Sequence, residues 1–252
     1  MAKQATFRFY EELNDFLPSY KKKVAFLYSF FGTPSVKDVI EALGIPHVEV
    51  DLILVNSISV DFKYTLQNND FVSVYPVFET LDISDVSHLR NQPLRETKFI
   101  LDVHLGKLAK YLRTFGFDTT YQNDYDDMEI IRISIAEHRI ILTRDISMLK
   151  VKSVTHGYFV RNQQPKMQLV EVLNHFDLYQ AIDPLSRCIK CNGKLERIEK
   201  EKIIQQLEPL TREYFDTFFK CQDCQSIYWE GSHFKRIKSF IDTIRNPGEK
   251  II

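Results

Sequence analysis

Residues 4 to 10 alternate strictly, with Ala5, Phe7 and Phe9 on one side and Thr6, Arg8 and Tyr10 on the other. A period of two is the mark of a half-buried strand. Residues 11–17 read as a short helix or turn stopped by Pro18, and the apolar run from Val24 to Phe31 as a second strand. After Thr33-Pro34-Ser35 the period lengthens, with apolar residues at Val36, Val39, Ile40 and Leu43. Pro near the first turn and Gly44 after the last apolar position predict a helix between them. Residues 47–55 and 70–75 return to strand patterns, and Asn68-Asn69-Asp70 marks a turn between them. The order β, β, α, β, β describes a small β-grasp domain over residues 1–80. Residues 81–97 are polar, contain Pro93 and read as a linker.

From residue 98 the pattern alternates between the two periods. Strand 98–102 leads into helix 105–115, whose apolar stripe is Leu105, Leu108, Ala109, Leu112 and Phe115, with Gly116 ending it. Its other face carries Lys107, Lys110, Tyr111 and Arg113. Strand 118–121, helix 127–138, strand 139–143, strand 157–161 and an amphipathic helix over 166–176 follow. Such alternation predicts parallel strands with helical crossovers, an α/β domain over residues 98–182. Asp183-Pro184 opens a third segment, 183–252, which closes with a strand, a turn and a helix over 235–244.

Composition changes this picture little. Of 252 residues 44% are hydrophobic and 27% charged, enough for one large core or two to three small ones. The start, Met1-Ala2-Lys3-Gln4-Ala5, lacks the apolar core of an export signal. The run from Val24 to Phe31 is far shorter than the roughly 20 residues that span a bilayer. A cytoplasmic protein with no membrane partner is the expectation. Charge is uneven around a net of −1: residues 1–90 carry 8 Lys and Arg against 12 Asp and Glu, and residues 91–252 carry 25 against 22. A weakly basic surface around an acidic pocket suits a metal-dependent enzyme acting on nucleic acid, although so small an imbalance also arises by chance.

The most specific chemistry lies in two C-x-x-C pairs, Cys188 with Cys191 and Cys221 with Cys224, separated by 29 residues. In a cytosolic chain such cysteines are metal ligands more often than disulfides. Four thiolates close the tetrahedral shell of a structural zinc and leave no position for water, so this metal is expected to stabilise a zinc ribbon. An iron–sulphur centre or a redox pair is the alternative. The second signal is a set of carboxylates at element ends: Asp102 after a strand, Asp126 and Asp127 at a helix start, and Asp145 after another strand. Hard oxygen donors of this kind suit Mg²⁺ or Mn²⁺. The same residues also serve as ordinary turn and cap aspartates. Lys107, Lys110, Arg113 and Arg144 are candidates for nucleic-acid phosphate contacts, against the alternative of ordinary solvated charges. His104 reads as structural. Tyr228, Trp229 and His233 either stack on bases or pack the ribbon against the central α/β core; packing is preferred, because Trp229 is the only tryptophan and follows a strand pattern.

Longer stretches carry a family likeness. Gly32-Thr-Pro34-Ser-Val36-Lys-Asp38, Glu41-Ala-Leu-Gly44-Ile-Pro46-His47-Val-Glu49 and Val74-Tyr-Pro76-Val-Phe78-Glu79 resemble the ubiquitin-like domain that precedes a Mut-seven C-terminal ribonuclease domain. Small sulphur carriers share that fold and end in Gly-Gly. This chain continues through Tyr75-Pro76, so docking to a protein partner is the role the resemblance leaves. Phe99-Ile-Leu-Asp102, Leu105-Gly-Lys-Leu108-Ala-Lys-Tyr-Leu112-Arg113, Gly116-Phe-Asp118, Asp126-Asp127, Arg139-Ile-Ile-Leu-Thr143-Arg144-Asp145, Tyr158-Phe-Val-Arg161 and Tyr228-Trp229-x-Gly231-Ser232-His233 resemble the ribonuclease domain itself, a PIN-like nuclease with a zinc ribbon appended. The resemblance implies a catalytic metal held by Asp102, Asp127, with Asp126 as alternate, and Asp145. The chain departs from the pattern at His104, often apolar in the family, and shows no fourth acid. The implied function is a metal-dependent ribonuclease; the alternative is a non-catalytic RNA-binding or adaptor protein.

Overall fold

The computed structural model describes residues 2–76 and 97–245. The expected linker and the closing Val77, Phe78 and Glu79 fall outside the described residues, apart from Thr97. In chain order the elements are β1 (Lys3–Phe9), β2 (Phe26–Phe30), α1 (Val36–Ala42), β3 (Val50–Val55), β4 (Ile58–Ser59), β5 (Phe71–Pro76), β6 (Lys98–Leu101), α2 (Gly106–Thr114), β7 (Asp118–Thr120), α3 (Asp127–Glu137), β8 (Ile140–Thr143), α4 (Ile146–Leu149), β9 (Gly157–Phe159), α5 (Pro165–His175), β10 (Leu195–Ile198), α6 (Pro209–Tyr214), β11 (Phe218–Cys221), β12 (Ile227–Trp229) and α7 (Ser232–Arg245). Among the described residues no helix is long and apolar enough to cross a membrane. The protein is mixed α/β, with an N-terminal sheet and central parallel strands, and it divides into two compact units.

The first unit joins residues 2–76 to 125–160. Its sheet has the order β2-β1-β5-β3-β4, in which β1 and β5 run parallel and the remaining pairs antiparallel. Alternation in β1 buries Ala5, Phe7 and Phe9 against Val39 and Ile40 of α1, with Ile53, Val72 and Val74 completing the core. Apart from Ala5, each such side chain contributes about 1.5–3 kcal/mol by leaving water. A capping box starts α1: Asp38 N–H donates to Ser35 Oγ at 3.2 Å, and Ser35 N–H to Asp38 Oδ2 at 3.1 Å. The Ser35 bonds hold the Asp38 carboxyl below its ordinary pKa.

The strand expected from His47 begins only at Val50, because residues 47–49 form a 3₁₀ turn whose side chains face the 150–160 segment. His47 Nε2 lies 2.9 Å from the Val154 carbonyl oxygen, and its Nδ1 2.7 Å from Glu41 Oε1. Both neighbours accept, so a doubly protonated ring satisfies both. Burial and Lys37 nevertheless pull the His47 pKa down, against Glu41 and Val154. Glu49, only 2% exposed, accepts from Phe159 N–H, Lys150 Nζ donates to the Glu41 carbonyl at 2.9 Å, and Phe16 meets Phe159 edge to face. In this half β8 and β9 run parallel, with Ile141 opposite Gly157.

The second unit joins residues 97–124 to 161–245. Strands β6 and β7 are parallel, with Phe99 opposite Thr119. Phe99 packs on Phe117 and Phe176, and Leu108, Leu112, Leu169 and Val172 are fully buried. Strands β10, β11 and β12 form an antiparallel sheet, beside a small cluster of Ile203, Leu207 and Phe218 with Trp229 packed on it. Helix α7 starts three residues earlier than its hydropathy predicted and sets Phe240 edge to face on Phe115. Gly116 ends α2 at a φ of +95°, where a Cβ would collide with the Asp183 carbonyl oxygen. Gly116→Ala is therefore expected to cost at least about 1–3 kcal/mol from the left-handed backbone alone, read as a lowered urea midpoint with unchanged slope.

Candidate functional site

The two C-x-x-C pairs meet. Cys188 follows Arg187, which bridges to Lys194, Cys221 ends β11, and the four sulphurs all lie within 4.8 Å of one another. Cys188 Sγ is 3.5 Å from Cys224 Sγ, and Cys191 Sγ 3.4 Å from Cys221 Sγ. A tetrahedral ion with bonds of about 2.3 Å needs sulphurs roughly 3.8 Å apart, so the donor set fits a metal such as zinc. Two hydroxyls that the sequence reading did not foresee support the sulphurs: Tyr228 Oη at 3.1 Å from Cys188 Sγ, and Ser226 Oγ at 3.2 Å from Cys224 Sγ. Burial and Cys188 push the Tyr228 phenol upward, so it stays a donor. Without metal, desolvation drives the Cys191 thiol up to about 12, while Ser226 draws Cys224 down to about 6.

Arg113 ties this knuckle to the parallel strands. Its Nε donates to the Thr119 carbonyl at 2.8 Å, Nη1 to those of Ile189 and Lys190 at 3.3 and 3.1 Å, and Nη2 to that of Tyr121 at 3.3 Å. The residue is 5% exposed. This corrects the expectation of Arg113 as an RNA contact: its guanidinium is buried and engaged with main-chain oxygens, leaving no face for a phosphate. Asn192 reinforces the tie, donating to Asp118 Oδ1 and accepting from Thr119 N–H, and Arg187 pairs with Asp118 at 3.1 Å.

Among the acids, Asp102 directly follows β6, is 4% exposed, and accepts the Leu105 N–H through its carbonyl. Asp126 caps α3, its Oδ1 accepting from Glu129 N–H at 2.8 Å, and Asp127 is the exposed first residue of that helix. Asp145 stands two residues beyond β8. It accepts from Ser147 N–H at 2.7 Å and Oγ at 2.8 Å, and its own N–H donates to Thr143 Oγ1. The capping bonds of Asp126 and Asp145 fall on Oδ1, so capping uses one oxygen of each.

Lys107 and Lys110 come together on a cleft of about 640 Å³ that His104, Tyr121, Asn123 and Gln168 also line. The α2 turn beside it is held by Tyr121 Oη donating to the Val103 carbonyl at 3.0 Å. Arg144 is half-buried, with Nη1 on the Val160 carbonyl at 3.2 Å. Trp229 packs near Phe215 and Phe218, both in its own segment, whereas the His233 side chain lies outside what the structure describes.

Parallel α/β strands with a carboxylate just past two of them, followed by a small antiparallel sheet with four clustered cysteines, define an α/β protein whose C-terminal segment has a donor set that fits a metal. Residues 97–241 match the family model described as Mut7-C RNAse domain, and residues 2–82 the model Mut7-C ubiquitin. The chain belongs to the Mut7-C ribonuclease-domain family. Comparison with curated proteins and with solved structures gave no match.

Proposed function

We propose that the protein is a metal-dependent ribonuclease that hydrolyses RNA phosphodiester bonds, with a PIN-like domain appended to a ubiquitin-like docking domain and a structural zinc ribbon. The observation that carries this is the match of residues 97–241 to a ribonuclease domain, in a chain whose Asp102 and Asp145 each stand at the carboxyl end of a parallel strand. That end is where open α/β sheets place their chemistry. Asp102, Asp127 and Asp145, with Asp126 as alternate, are the assigned ligands of Mg²⁺ or Mn²⁺, hard cations suited to carboxylate oxygen. When bound, such an ion supplies an activated water and neutralises charge on the phosphate. Lys107 and Lys110 hold the RNA backbone, and Thr143 positions Asp145 through its main-chain N–H. The four cysteines hold zinc.

A second reading has its own observation. Asp126 and Asp145 already cap helices, as structural aspartates do, which favours a non-catalytic RNA-binding or adaptor protein. Cleavage of a labelled RNA pool with Mg²⁺, with Mn²⁺ and without added divalent ion decides between them. Products that require the divalent ion, and that fall at least about 100-fold in Asp102→Asn and Asp145→Asn, are expected for lost metal ligands. Retained RNA with no products from any sample selects the adaptor.

A further inference from the structure

In the second unit, sharing Tyr228 with the cysteine cluster, lies a cavity of about 310 Å³. Ile189, Tyr228, Trp229, Phe234 and Ile237 line it, with Arg187 among them. Ligand pockets run from about 300 to 1,000 Å³. This one is at the small end, and it admits a single flat ring system. Its walls are fixed: Trp229 stands on the Phe215 and Phe218 rings, Tyr228 Oη on Cys188, and Arg187 on Asp118 and the Asn192 carbonyl. Among the described residues the indole N–H of Trp229 has no hydrogen-bond partner and is not sealed from solvent. Gly231, at the same cavity, keeps that edge open, because a Cβ there would sit 2.9 Å from Nε1.

Charge decides the occupant. Helix α7, which supplies Phe234 and Ile237 to the cavity, exposes Lys235, Arg236 and Lys238 in the same turns. An apolar peptide would gain nothing from that cationic rim, whereas a nucleic-acid strand presents a flat base together with a phosphate. We infer that this cavity receives one nucleobase of single-stranded RNA, stacked among Trp229, Phe234 and the Arg187 guanidinium, while α7 holds the adjoining phosphates. Aromatic faces accept every base, and the free indole donor adds a bond to a base acceptor. The inference rests on the ribonuclease reading for its substrate class and places a second contact with the strand on the zinc-bound segment.

Trp229 is the chain's only tryptophan, so its emission reports the cavity directly. The test uses the full zinc-loaded chain carrying Asp102→Asn and Asp145→Asn, without Mg²⁺, titrated with a uridylate oligonucleotide or with polyphosphate of equal charge. The oligonucleotide is expected to quench Trp229 and polyphosphate to bind α7 without quenching. Ile237→Phe, which fills the cavity from α7, and Thr114→Phe, which fills it from α2, are each expected to weaken the oligonucleotide at least about tenfold while leaving polyphosphate binding and zinc content unchanged. Equal quenching by both polyanions, quenching by neither, or unchanged oligonucleotide affinity in the filled variants overturns the inference. Quenching by an amphipathic peptide alone does so too, and assigns the cavity to a protein. The unsubstituted chain assayed in parallel separates the two readings: cleavage without quenching defeats only the base site, and quenching without cleavage only the nuclease.

Discussion

Removing the zinc assigned to Cys188, Cys191, Cys221 and Cys224 is expected to unfold the β10-β11-β12 sheet, with the emission of Trp229 shifting to the red. The reason is the poverty of apolar burial there. Ile203, Leu207 and Phe218 are the fully buried members of the cluster, and Ile198, Phe215, Ile227 and Trp229 only half cover it. At about 1.5–3 kcal/mol for each buried side chain, this cannot offset roughly 1–2 kcal/mol of backbone ordering for every residue of the segment. A structural zinc contributes about 10–16 kcal/mol in small metal-folded units, and in such units that energy is the folding energy. Cys221→Ser, which removes one ligand from the end of β11, should reproduce the chelated state at neutral pH. A chelated protein that keeps its native emission and its far-UV dichroism would show the thiols to be bystanders.

Arg113→Met is expected to lower stability by at least about 3 kcal/mol, because each buried carbonyl left without its donor costs about 1–3 kcal/mol. Methionine fills the space but leaves the carbonyls of Thr119, Tyr121, Ile189 and Lys190 without their donor. Arg113→Lys should recover only part of the loss, since one ammonium cannot reach both strand β7 and the knuckle between Cys188 and Cys191. Urea unfolding followed through Trp229 measures the effect, and RNA affinity measured well below the transition separates the two roles considered for this residue. Unchanged stability with weakened RNA binding would restore it to the surface.

That residue also shows where hydropathy stops being informative. Along α2 the apolar stripe of Leu108, Ala109 and Leu112 was plain, and all three are buried. Arg113 was placed with Lys107 and Lys110 on the wet face, because a 3.6-residue period records the character of a side chain and not what it meets. Two of its four partners, Ile189 and Lys190, lie 76 and 77 residues away in sequence. Local rules performed well where local bonds decide: the helix between Pro34 and Gly44, the alternation of β1 and the left-handed Gly116. They failed at 47–49, where Glu49 is buried to serve Phe159 and the strand is delayed. They were silent on α4, α6 and β4, too short to show a period. The sulphur cluster was legible because each C-x-x-C is its own turn. The hydroxyls of Tyr228 and Ser226 were not, since nothing in a tyrosine or a serine announces a thiolate neighbour. The roles of Asp102, Asp127 and Asp145 rest on their place at element ends and on family likeness.

The bonds from His47 and Glu49 to Val154 and Phe159 bear on how this protein can be cut, swapped or inherited. A ubiquitin-like module is usually pictured as a bead on a string, to be deleted or exchanged at the string. Here the bead keeps one hand inside its neighbour. A fragment starting at residue 97, where the ribonuclease-domain match begins, would carry Phe159 and the Val154 carbonyl stripped of their cover, and should be sticky and short-lived in solution. A foreign β-grasp fused in its place would have to bring its own histidine and glutamate in register.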